Sequence, residues 1–409
     1  MEHDIWDSLL LPGASEATLS QDLQSVLHSV RTHLGMDVAF ISEFDQGRRV
    51  LRVVDAGGST KGPKQGHADP EEESYCRKIV DHELAGRIPD TGLNASTRSM
   101  PVTEDLEIGA YLGVPLHHAS GEVFGTFCCY RHEPDPSLSE RDLALLRTVA
   151  DIVSRQIEQR FRARREENAA VARVEGVLAQ QAVKIVYQPI YDRSVGRVVG
   201  YESLARFSAE PYRTPDVWFS EAKRVGAGER LEMLAIRQAL TALEALPDGT
   251  YLAVNVSPVH IISGAVARTL AGHDASRIVL EVTEHERVAD YAAFREAVAP
   301  LRQRGVRLAI DDAGAGYATF QHILELDIDI IKLDISLIRD LHLDRRRRAL
   351  TASLIAFAET IDAVVIAEGV ECQEELEALW EFGVYKTQGY HIGRPMLLQE
   401  ALGAGLAPS

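Results

Sequence analysis

Apolar and polar positions change period several times along the chain, and each change marks an element. Leu23, Val26, Leu27, Val30 and Leu34 recur at helical spacing, which predicts a helix over residues 15–35. The runs DVAFISEF (37–44) and RVLRVV (49–54) predict two strands paired across a polar turn at Asp45–Gly47. A charged stretch from Gly57 to Pro70 reads as a loop, and Glu72–Val80 as a short helix. Residues 84–105 keep no period; after them Ile108–Leu116 and Val123–Tyr130 read as strands around a turn at Ser120–Gly121.

A long helix follows. Ser139 offers a cap, and from Leu143 neither proline nor glycine occurs until Gly176. Leu143, Ala150, Ile157, Arg164, Val171 and Leu178 recur every seventh residue, with Leu146, Val153, Arg160, Glu167 and Val174 as the interleaved series. That holding of phase across the charged middle RFRARREE predicts a coiled-coil seam weakened at its centre, and with it a homodimer. The same spacing also suits a single amphipathic helix packed on its own domain.

From Lys184 onward, short apolar runs alternate with amphipathic stretches. The runs are KIVYQPIY, YLAVNVS, IVLEVTE, VRLAIDD, DIIKLD, VVIAEGVE and KTQGYHIG; the stretches include 217–246, 290–303 and 346–361. Strand–helix alternation over this length predicts a TIM-like (β/α)8 barrel, whose strands deliver their carboxyl ends to one face. The fold class is therefore α/β. Three regions follow: 1–138 as an α+β domain, 139–182 as the joining helix, and 183–409 as the barrel.

Composition fits such an assembly. The 409 residues are 45 % apolar and 25 % charged, typical of globular domains. No apolar run reaches membrane-spanning length, and the start MEHDIWDSLLLPG lacks the pattern of an export signal, so no membrane association and a cytoplasmic location are expected. Cys76, Cys128, Cys129 and Cys372 form no spaced framework and are expected to be reduced. A formal charge of −18 argues against a nucleic-acid polymer as partner. It leaves room for a small anion held through divalent cations.

The strand ends supply the chemistry. In order they carry Glu202, Asn255, Glu281 with Glu284, Asp311 with Asp312, Lys332, Glu368 with Glu371, and Gln388. We place Glu202 in the loop after the first strand pair or on a second strand. Each acid alone suits a helix cap, but Glu is a poor cap, and so many acids at one rim require cations. Carboxylate and amide oxygens without His or Cys suit Mg²⁺ or Mn²⁺ rather than zinc. The adjacent Asp311 and Asp312 suit two metals about 3.5–4 Å apart, the arrangement used for in-line displacement at phosphorus. Lys332 could steer a water or offset transition-state charge.

These residues carry a resemblance. YQPI (187–190), Glu202-Ser203-Leu204, NVS (255–257), EVTE (281–284), DD (311–312), KLD (332–334), AEGVE (367–371) and QGY (388–390) occur in the order of the EAL family. Residues 175–405 thus resemble a cyclic di-GMP phosphodiesterase. The resemblance implies one metal on Glu202, Asn255, Glu281 and Asp311, and a second on Asp311, Asp312 and Glu368. It further implies Lys332 assisting the attacking water, and Gln388 completing the hydrogen bonding beside it. Gln188, Leu204 and Arg206 would lie at the substrate, with Arg206 on a phosphate, while Glu284 and Glu371 would support the site. The implied product is linear pGpG; a receptor that binds the nucleotide without cutting it is the alternative. Three positions depart from the family: Ser203 in the signature, Ala313 where a Phe is usual, and Tyr385 where an Asp is common.

Residues 15–160 resemble a GAF domain through MDVAFISEF, SYCRKIVD, IGAYLGVPL and GEVFGTFCCYRHEPDPSLSERD. This implies a sensor of a small-molecule or chromophore ligand whose identity the sequence leaves open. Cys76 suits a structural thiol, a chromophore anchor or a redox switch. Cys128 and Cys129 should face opposite sides of a strand, and His117 and His118 read as surface residues rather than haem ligands.

Overall fold

A computed structural model describes residues 16–57, 62–283, 288, 290–313 and 323–403. The chain divides into two compact units, 1–166 and 167–409.

The first unit is built on a six-stranded antiparallel sheet of order β3-β2-β1-β6-β5-β4. Its strands are β1 (Val38–Asp45), β2 (Arg48–Asp55), β3 (Ala68–Pro70), β4 (Arg87–Ile88), β5 (Ala110–His117) and β6 (Val123–Arg131). Strand alternation separates two cores. Ile41, Leu112, Val114, Phe127 and Cys129 pack with Leu23 and Leu27 of the helix Glu16–His33. Phe40, Tyr111, Cys128 and Tyr130 face the other way, toward Cys76 and Ile79 of the helix Tyr75–Val80. Cys128 and Cys129 thus lie on opposite faces, as a two-residue period requires.

The helix Glu140–Gln180 supplies its first part to this unit and its last turns to the second. Leu143, Leu146, Ala150, Val153 and Ile157 are buried in the first unit's own core. These five apolar positions pack inside the unit. Among the later positions Val174 is buried with Val177 beside Trp218 in the second unit, while Val171 is exposed.

In the second unit eight strands close into a barrel of order β10-β11-β12-β13-β14-β7-β8-β9. They are β7 (Val183–Asp192), β8 (Arg197–Phe207), β9 (Tyr251–Asn255), β10 (Ile278–Thr283), β11 (Arg307–Ala313), β12 (Ile330–Leu333), β13 (Val364–Ala367) and β14 (Lys386–Thr387). All neighbours run parallel except β7, which is antiparallel to both β8 and β14. The short turn explains this: Asp192 Oδ1 accepts from Ser194 N (2.8 Å) and Oγ (2.6 Å), and a connection this tight joins only antiparallel strands.

The apolar runs conceal an alternation. Val279, Ala309, Ile330 and Ile366 fill the barrel interior, while Leu280, Leu308 and Ile331 face the covering helices. Two residues further along the inward series the layer turns from apolar to ionic, with Glu281, Asp311, Lys332 and Glu368. Among the described residues no helix is long and apolar enough to cross a membrane.

Candidate metal centre

Glu202 lies on β8 itself, opposite Gln188 of β7 and Ala253 of β9. It is therefore a strand residue, not part of a loop. Register explains its orientation. Ile190 pairs with Gly200 and Tyr191 with Val198, so Val199 is an extra residue whose bulge resets the inward face. Ser203 next to it is accommodated: its Oγ donates to the Ala253 carbonyl at 2.8 Å.

A second irregularity sits at the paired aspartates. Ile310 pairs with Ile331 and Ala313 with Leu333, leaving Asp311 and Asp312 opposite the single residue Lys332. Asp312 takes a left-handed φ of 56°. Consecutive strand residues normally point to opposite faces, so this bulge is what lets both acids serve one mouth. Backbone strain of this kind concentrates at functional positions.

Lys332 is fully buried at the centre. Its Nζ lies 2.7 Å from Glu368 Oε1, 3.0 Å from Glu281 Oε1, 3.0 Å from Asp311 Oδ1 and 3.4 Å from Glu202 Oε2. Burial alone would lower its pKa, but the carboxylates of Asp311, Glu202, Glu281 and Glu368 outweigh that and hold it well above the ordinary lysine value. Burial pushes Glu281 and Glu368 well above the carboxylate range, and neighbouring acids add to the rise while Lys332 opposes it. One ammonium among four carboxylates leaves the site electron-rich, and among the described residues Glu281 Oε2 is buried without a hydrogen-bond partner.

Ligand atoms of Glu202, Glu281 and Asp311 lie within 4.8 Å of one another, as do those of Asp311, Asp312 and Glu368. Asp311 belongs to both groups. Asn255 joins through Nδ2, 3.4 Å from Glu202 Oε1. Gln388 Nε2 donates to Glu202 Oε2 at 2.6 Å and to Gln188 Oε1 at 3.1 Å. β14 ends at Thr387, short of the expected KTQGYHIG run, because the chain must turn against Val370. Gly389 permits this: a Cβ there would stand 2.2 Å from the Val370 backbone.

Leu204 and Arg206 continue the alternation of Glu202 along β8. Leu204 is half-buried and Arg206 exposed, its Nη1 donating to the Ala205 carbonyl at 2.8 Å. Glu284 and the part of DDAGAGY beyond Ala313 lie outside the described residues. Ala313 is buried at the end of β11, and Tyr385 is 45 % exposed.

Glu371, expected to support the site, is directed to Arg339 at the surface (3.2 Å). The support for that loop comes from Glu375, whose carboxylate accepts from the backbone of Glu371 (2.9 Å) and Asp340 (3.0 Å). Glu232 does the same behind Asn255, accepting from Ser257 N (2.9 Å), Ser257 Oγ (2.7 Å) and His260 Nδ1 (2.9 Å). Sequence reading missed both. Each is a glutamate on a helix, and only its burial distinguishes it from surface acids. A cavity of about 610 Å³ opens at the opposite, amino-terminal ends of the strands, beside Arg307 and Lys386. Its Asp329 is already paired with Arg302, and Arg307 and Lys386 add positive charge there.

A closed barrel thus presents two oxygen-ligand groups that share an aspartate at one mouth. The EAL domain family matches residues 170–395, and the chain belongs to that family; the GAF domain family matches residues 18–157. A cyclic di-GMP phosphodiesterase of Pseudomonas aeruginosa is 30 % identical over 238 residues, covering 54 % of this chain and 40 % of that protein. A signaling protein of Caulobacter vibrioides is 28 % identical over 332 residues, covering 77 % of this chain and 39 % of its own length. The chain thus spans less than half the length of these relatives. Among solved structures, the PaMucR phosphodiesterase in its c-di-GMP complex is 27 % identical with a TM-score of 0.50, covering 57 % of this chain and 99 % of that one.

Proposed function

We propose that the barrel hydrolyses one phosphodiester of cyclic di-GMP to linear pGpG with the help of two divalent cations. The GAF unit, in this reading, regulates it in response to a small-molecule or chromophore ligand. The observation that carries the proposal is the pair of acidic groups meeting at Asp311. The donors suit Mg²⁺ or Mn²⁺: all are oxygens, and among the described residues the buried Glu281 Oε2 and Asp311 Oδ1 have no hydrogen-bond partner and neither His nor Cys joins the set. Glu202, Asn255, Glu281 and Asp311 would hold one ion, and Asp311, Asp312 and Glu368 the other. Bound there, such ions would activate water and stabilise charge on the phosphoryl group.

The remaining work falls to the chain's own side chains. Lys332, kept charged by its four neighbours, can donate to the attacking water or to a phosphate oxygen as negative charge grows. Gln388 fixes the Glu202 carboxylate and links it to Gln188, whose Nε2 donates to the Gly393 carbonyl at 3.1 Å. That chain of amides sets the wall on which a guanine base would rest. Leu204 and Arg206, on the same strand face as Glu202, extend the mouth toward solvent, where Arg206 would meet a phosphate. The named relative and the nucleotide complex of the similar structure support the choice of substrate.

The test is incubation of the purified chain with cyclic di-GMP and Mg²⁺ or Mn²⁺, followed by chromatography. Appearance of pGpG is expected. Tight binding without pGpG would instead identify a receptor and overturn the hydrolytic reading.

A further inference from the structure

We propose that Cys76 and Cys128 form a reversible disulfide within the GAF unit when it meets a hydroperoxide, with Cys76 oxidised first. Their Sγ atoms are 3.7 Å apart, both fully buried, although the residues stand 52 positions apart in the chain. One lies on the helix Tyr75–Val80 and the other on β6. A disulfide requires about 2.05 Å between sulfurs, so closure needs only side-chain rotation and a small approach. Gly113 pairs with Cys128 across β5 and β6. A Cβ there would stand 3.2 Å from the Cys128 sulfur and 2.9 Å from Ile79, so glycine keeps the space that rotation needs.

The surroundings distinguish the two sulfurs. Arg49 is buried and donates from Nη1 to Cys76 Sγ at 3.4 Å, while Asp69 accepts from its Nε at 2.9 Å and fixes its orientation. Tyr111 Oη lies 3.5 Å from the same sulfur. Cys128 instead donates to Thr126 Oγ1 at 3.2 Å. Burial opposes charge on either sulfur, but the Cys128 thiol and the Arg49 cation pull Cys76 well below the ordinary thiol value. Cys128 moves well above it. A sulfur that favours ionisation beside one that resists it is the arrangement of an attacking and a resolving cysteine. Cys129 faces the aliphatic core on the other side, where burial raises it. Arg49 also lines a cavity of about 370 Å³ with Lys64, His67, Asp69 and Val102, which brings a small oxidant to within one guanidinium of the sulfur.

The chemistry balances. The Cys76 thiolate attacks the outer oxygen of the hydroperoxide, its O–O bond breaks, and an alcohol (or water) leaves after taking up a proton. This leaves Cys76 as the sulfenic acid. The Cys128 thiol then attacks that sulfur, the S–O bond breaks, and the oxygen departs as water with the thiol proton. Two thiols and one hydroperoxide thus give one disulfide, one alcohol and one water; a dithiol reductant reverses the change.

The test treats the full chain with equimolar hydrogen peroxide, blocks remaining thiols by alkylation, and maps the digested peptides by mass spectrometry. A reductant-sensitive link between the Cys76 and Cys128 peptides is expected, forming at least about tenfold faster than any oxidation of Cys129. Cys128→Ser should leave a Cys76 sulfenic acid that a 1,3-dione traps. Prior oxidation at Cys129 or Cys372, or loss of the Cys76 thiol without a link to Cys128, would overturn the proposal. The wild-type mapping decides the matter even if the variant fails to fold.

Discussion

Asp312 separates a structural from a chemical role better than its neighbours, because its backbone is in the left-handed region while its carboxylate joins a ligand group. Asn tolerates that conformation and removes the charge. Asp312→Asn should therefore keep thermal stability within about 0.5 kcal/mol while pGpG formation falls by about 100-fold or more. A large drop in melting temperature would mean that the residue serves the bulge alone. Glu202→Ala should abolish turnover outright, since it removes a proposed metal ligand and the acceptor of Gln388; a full-rate variant would place the site elsewhere. Ser203→Ala should cost only about 1 kcal/mol, the worth of one hydrogen bond to Ala253, and leave turnover nearly intact. The identities of these residues were legible in the sequence, and so was their order. The bulge was not, because DD reads the same in a regular strand as in a kinked one. Nor could the sequence tell Glu375, which ties the loop, from Glu371, which meets Arg339 at the surface.

Among elements, the long helix shows where periodicity stops being informative. A seven-residue repeat predicts a buried stripe but does not say against what, and Leu146, Val153 and Ile157 spend theirs on their own sheet. The last turns are tied differently. Arg173 Nη2 donates to Glu221 Oε1 at 2.6 Å, and Arg213 Nη1 to Glu221 Oε2 at 2.9 Å. The hydrogen bond from Arg173, with Arg213 adding to it, holds the Glu221 carboxyl below its ordinary range despite burial. A depressed pKa means the folded state favours the charged form. This stabilisation is complete above the unfolded value of about 4.3 and is lost as pH falls through the lower folded value. Glu221→Gln should destabilise the barrel unit by about 2 kcal/mol at neutral pH. The difference from wild type should shrink below about pH 4 when unfolding is followed by denaturant titration. A difference that stays constant with pH would mean that the charge is irrelevant.

Seen as a whole, the barrel was readable because parallel strands buried on both faces leave continuous apolar runs, and each run ends in polar residues. The antiparallel β7 was not foreseen, since its direction depends on a turn set by Asp192 and Ser194. The charge of −18 takes on a local meaning at the mouth, where four carboxylates surround one lysine. A chelator should stop turnover, and Mg²⁺ or Mn²⁺ should restore it. Ca²⁺ should inhibit, because it accepts the same oxygens with a larger and looser geometry. Turnover unaffected by a chelator would remove the ions from the mechanism. The most direct measurement is an anomalous-difference map at the manganese absorption edge from crystals soaked in Mn²⁺. Two peaks are predicted, one among Glu202, Glu281 and Asp311 and one among Asp311, Asp312 and Glu368. A map with manganese elsewhere and none at this mouth would contradict the account.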